Sequence, residues 1–138
     1  MDNYILGVWD DNYWPTGSSW HIFSETPSVG AINVQVMDNG GGYAYLSDST
    51  NLALWTHIGL VRDAAAGTWQ LFMNGVGLQT ISFGASEAAG RLGVGAHRNP
   101  TTSFMSGDVD ELAIWSRPLS AAEMAQLYNE GQGLAYPY

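Results

Sequence analysis

The chain has 138 residues, with 13 acidic side chains against four arginines and no lysine, for a formal net charge of −9. That balance excludes a nucleic-acid backbone or an anionic membrane surface as partner, because both need clustered cations. There is no cysteine, hence no disulfide framework or thiolate metal site, and no apolar run approaches the roughly 20 residues that insert across a membrane.

Seventeen glycines and a hydrophobic content of 46% predict many short strands joined by tight turns within a single domain over 1–138. In chain order, Tyr4–Trp9 reads as a strand, and Asp10, Asp11 and Asn12 open a loop through Pro15 and Gly17. Ser19–Ser24 is a strand apolar on both faces. In Ala31–Met37, Ile32, Val34 and Val36 share one face, while Asn33 and Gln35 share the other. A glycine-rich turn at 38–42 leads to a short strand, Tyr43–Leu46.

Trp55–Val61, Trp69–Met73 and Val76–Phe83 follow as strands. Asn74-Gly75 between the last two is a strong signal for a type I′ hairpin. Leu92 and Val94 face one way in a glycine-punctuated strand, and Val109–Trp115 reads as the last long one. Ser120 then caps a helix, with Glu123 three residues on completing a capping box and Gly131 stopping it. Met124 and Tyr128 at helical spacing are assigned to packing, as are Trp55, Trp69 and Trp115. Residues 132–138 form a tail or linker. About nine short strands with one short C-terminal helix predict an all-β antiparallel sandwich.

The ordered set Trp55-Thr56-His57-Ile58, Val61-Arg62-Asp63, Leu71 to Gly75, Leu92 to Gly95, and Gly107 to Leu112 through Leu119-Ser120 and Glu123 resembles the laminin G-like, concanavalin A-like lectin/glucanase jelly roll. The likeness covers roughly the last three-fifths of the chain. It implies two curved antiparallel sheets, rim loops that carry ligands, and in several members a structural calcium. It also implies two or three strands ahead of the one at Tyr4. Their place is expected to be taken by an unusual N-terminus, by a neighbouring chain or by residues of a longer protein.

Chemistry is sparse. Asp108 and Asp110 would lie on one face of an extended strand, about 6–7 Å apart. The run lacks the final glutamate of the related glucanases, so no catalytic residue is assigned and the chain is read as a non-enzyme. Asp10, Asp11 and Asp110 are the candidate ligands for calcium, which takes six to eight oxygens. The three histidines lack zinc-site spacing, and His57 is assigned a structural role. Tyr13 and Trp14, with His97, Arg98 and Asn99, are the candidate ligand-binding residues, because sugars stack on exposed rings while neighbouring polar groups fix their hydroxyls. Tyr13 and Trp14 suit a subunit contact equally well.

Two functions follow. One is a non-catalytic glycan-binding or adhesion module that recognises a glycan or glycoprotein surface. The other is a structural protein on a phage or virus particle, self-associating so that chains complete each other's sheets. Either belongs at an extracellular or virion surface, although Met1-Asp2-Asn3-Tyr4 has neither the basic start nor the apolar run of a signal peptide.

Overall fold

The computed structural model describes residues 3–9, 18–24, 30–38, 41–50, 54–84, 90–97 and 103–134. Its strands are β1 (Asn3–Trp9), β2 (Ser19–Ser24), β3 (Gly30–Met37), β4 (Tyr43–Thr50), β5 (Ile58–Asp63), β6 (Thr68–Met73), β7 (Val76–Ser82) and β8 (Arg91–Val94). One helix follows, α1 (Ala121–Tyr128), with a single 3-10 turn at Asn129–Gly131. All pairing is antiparallel, in a five-stranded sheet of order β4-β3-β2-β1-β8 and a three-stranded sheet of order β5-β6-β7.

Period-two alternation builds the core. Ile32, Val34 and Val36 of β3, with Ile22 of β2 and Leu46 of β4, meet Trp69, Leu71 and Met73 of β6. Burying each large apolar side chain contributes roughly 1.5–3 kcal/mol. On its other face the smaller sheet packs Phe72 against Leu119 and Met124, which docks α1.

The helix start follows its sequence signals. The Ser120 hydroxyl accepts from the Glu123 amide, and the Glu123 carboxylate accepts from the Ser120 amide at 2.8 Å. Arg117, paired with Glu123, together with these Ser120 bonds holds that carboxyl at about 2. The Asn74-Gly75 hairpin has positive φ at both residues, 50° and 76°, as a type I′ turn requires. The Asn74 side chain accepts from the His57 amide at 3.0 Å and ties the turn back to β5.

Several expectations are corrected. Val109–Trp115 is not a strand, and the described residues contain eight strands rather than about nine. Glu111 sits at φ 51°, a left-handed conformation that breaks extended alternation. The segment instead lines a cavity of about 830 Å³ together with the inner faces of β1, β2 and β5. Accordingly Trp55 and Trp115 are not core residues, being 74% and 38% exposed, whereas Trp69 is buried. The strand expected at Trp55 begins at Ile58, and β4 runs four residues past Leu46 to Thr50. Among the described residues no strand pairs with the outer edge of β5.

Leu46 is fully buried beside Val34, its register partner. Leu46→Ala is expected to lower stability by about 2–5 kcal/mol, read as a reduced urea midpoint with an unchanged slope.

Candidate ligand-binding face

Strand alternation that sends one set of side chains into the sandwich sends the other set outward. The β-ladder registers align that outer set across the five strands. One row is Tyr45, Gln35, His21, Gly7 and Gly93; a second is Tyr43, Met37, Ser19, Trp9 and Arg91; a third is Ser47, Asn33, Phe23 and Tyr4. With neighbouring strands about 4.8 Å apart, the face is roughly 19 Å across.

Its β4 end is open. Tyr43 and Tyr45 are 56% and 46% exposed, and their rings meet edge to face at 5.6 Å. Gln35 Nε2 donates to the Tyr45 hydroxyl at 2.6 Å, which fixes that ring's direction. The hairpin leading into β4 is held by Asp38, whose Oδ1 accepts the Gly42 amide at 2.9 Å while its own amide donates to the Gly42 carbonyl. The pair therefore presents two rings beside a hydrogen-bonded hairpin.

The β1–β8 end is a dense aromatic cluster. Tyr4 stacks on Phe23 at 5.4 Å and meets His97 edge-on at 4.5 Å, while Trp9 lies 6.0 Å from His21. Trp9 lies across Gly7 and Gly93. A Cβ at Gly93 would come within 2.5 Å of the indole, and one at Gly7 within 2.8 Å, so both positions require glycine.

His21 is 1% exposed. Burial, then the charge of His97, lowers its pKa to about 4, with the nearby Gln35 amide opposing the shift. Gln35 Nε2 is directed at Tyr45. Neither His21 nitrogen meets hydrogen-bond geometry with a protein group, and the same holds for Trp9 Nε1 and Ser19 Oγ. This half of the face thus holds unused donors and acceptors beneath its rings. His57 lies elsewhere, half-buried at the β5 end, with Nδ1 also unpartnered and its pKa lowered by burial. Its expected structural role is carried by its backbone bonds to Asn74.

Of the residues singled out from sequence, His97 belongs to this face. Tyr13, Trp14, Arg98, Asn99, Asp10 and Asp11 lie outside the described residues. Asp110 is exposed, and its Oδ1 accepts the Glu111 amide at 2.9 Å. No group of three or more acidic or histidine side chains able to hold a metal occurs among the described residues, which leave out Asp10 and Asp11. Asp108 and Asp110 are exposed and share no strand face, because their segment is not a strand. The open tyrosine pair and Gln35 were overlooked in the sequence. Their signal was the Tyr-Ala-Tyr alternation opposite the polar face of β3.

The family model for the concanavalin A-like lectin/glucanases superfamily matches residues 4–125. The chain belongs to this superfamily. Solved structures agree on the fold of this concanavalin A-like domain. The CBM40 of Ruminococcus gnavus IT-sialidase, solved bound to α2,3-sialyllactose, superposes with a TM-score of 0.69 at 14% identity, covering 91% of this chain and 73% of that one. A second structure of that CBM40 gives 0.68 at 15% identity, with the same coverage. The native heptameric SAP-like pentraxin of Limulus polyphemus gives 0.63 at 17% identity, covering 92% of this chain and 63% of that one. Among curated proteins none matches the chain.

His21 sets a pH dependence for this concanavalin A-like domain. Its folded pKa lies below the ordinary 6.5, so the unfolded chain binds more protons and acid favours unfolding. The contribution is complete above pH 6.5 and is lost as pH falls toward 4. The expected loss is roughly 3 kcal/mol, followed by urea melts across that range. His21→Gln should flatten the curve, leaving the contribution of His57, which has the same sign.

Proposed function

We propose that this concanavalin A-like domain is a non-catalytic glycan-binding module whose site is the outer face of the five-stranded sheet, entered at Tyr43 and Tyr45. The observation that carries this is the exposed, rigidly held tyrosine pair beside Gln35 and Asn33. Exposed rings offer stacking area for the apolar face of a pyranose, and side-chain amides offer donors and acceptors for its hydroxyls. The likeness in fold to a carbohydrate-binding module solved with a saccharide supports a saccharide as ligand. The exposure of Asp108 and Asp110 on a segment that is not a strand supports binding without hydrolysis, because cleavage needs two carboxyl groups facing each other across the bond. Among the described residues no helix is long and apolar enough to cross a membrane. We place the module's work at an extracellular or virion surface, where it would serve adhesion.

A glycan array tests this directly. Wild-type protein should bind at least one saccharide, and Tyr45→Ala should weaken that binding about tenfold, or roughly 1.4 kcal/mol. A blank array, or binding indifferent to both Tyr43→Ala and Tyr45→Ala, contradicts the reading.

A second reading, assembly through copies of the chain pairing at β5, is favoured by that strand's unpaired edge and by exposed Trp55, Ile114 and Trp115 nearby. Sedimentation equilibrium should then show a concentration-dependent dimer or larger species that Trp55→Ser weakens. A monomer throughout the micromolar range removes this reading.

A further inference from the structure

Resting on the glycan-binding reading above, we infer that the tyrosine end of the face selects uncharged saccharides and disfavours sialylated or otherwise anionic ones. The warrant is where the chain keeps its few cations. It has four arginines and no lysine, and none of the four lies on β3, on β4 or in the hairpin between them. Residues 30–50 carry Asp38 and Asp48 but no arginine, lysine or histidine.

The three arginines among the described residues lie elsewhere. Arg62 is on β5 of the other sheet, with its guanidinium 5.6 Å from the Trp69 ring. Arg117 pairs with Glu123 at the start of α1. Arg91 begins β8, four strands from β4 and so roughly 19 Å away at the usual strand spacing. Arg98 lies outside the described residues. A monosaccharide stacked on Tyr43 and Tyr45 is out of reach of these three, and the distance to Arg91 is about two Debye lengths at 0.1 M salt.

The chemistry of the open end points the same way. Tyr43, Tyr45, Gln35, Asn33 and Ser47 are neutral, with amide and hydroxyl groups suited to sugar hydroxyls. A carboxylate placed there meets Asp38 in the adjoining hairpin and a molecule of net charge −9, with no guanidinium on β3 or β4 to pair with. His21 does not supply the missing charge, because it is buried and neutral at pH 7.

The test uses matched pairs on one array, each neutral oligosaccharide beside its α2,3-sialylated derivative, at low and high salt. The neutral member of each bound pair should bind at least fivefold better at low salt, with the gap narrowing as salt rises. Ser47→Arg places a cation on the exposed outer face two residues from Tyr45 and should raise binding of the sialylated member selectively. Sialylated members bound as well as, or better than, their neutral partners by wild type would overturn this inference and leave glycan binding standing. An unchanged gap in Ser47→Arg counts equally against it. A wholly blank array removes the glycan reading itself, so the two failures are distinguishable.

Discussion

The two-sidedness of β3 organises the molecule. Ile32, Val34 and Val36 are fully buried against the smaller sheet. The strict period of two then obliges Asn33 and Gln35 to face outward. Because β3 pairs in unbroken register with β2 and β4, that division extends across its neighbours. A one-residue slip would expose the core and bury the amides, so packing energy on the inner face fixes the geometry of the outer one. Tyr45 owes its position to the packing of Leu46 and Val34 on the opposite side of the sheet.

The outer face has two characters with different physical origins. At the β4 edge no strand among the described residues continues the sheet, and the tyrosines stay open. At the β1–β8 end, glycines let a tryptophan lie flat on the sheet, where aromatic rings close over His21. Burial there stabilises through apolar area but leaves polar atoms of Trp9, Ser19 and His21 unpartnered, at about 1–3 kcal/mol for each such group. Natural domains keep costs of this kind where recognition or a specific packing arrangement requires them.

Local signals in the sequence made most of the fold legible. Alternation at Ala31–Met37, the Asn74-Gly75 turn and the Ser120–Glu123 box each depend on a few adjacent residues, and each has its expected geometry. Val109–Trp115 had equally good local alternation. Its strand would need pairing from a distant element, and the left-handed Glu111 interrupts it. Burial of tryptophans was legible only where the strand itself formed, as at Trp69 and not at Trp115. The site was less legible than the fold. Loop aromatics drew attention because loops carry function, whereas the tyrosine pair sits on a strand and is visible as a site only once its face is known to be the outer one. His97 was reachable from sequence, but its contact with Tyr4 depends on β8 pairing with β1 across more than eighty residues.

The claim that most needs testing is the placement of recognition on the outer face of the larger sheet. Amide and side-chain chemical-shift mapping by NMR, with titration of a neutral oligosaccharide selected on the array, tests it residue by residue. Perturbations centred on Gln35, Tyr43 and Tyr45, fading across β2 toward β8, are predicted. Perturbations centred on Trp55, β5 and residues 105–119 would contradict it, because they would place the ligand in the inter-sheet cavity instead.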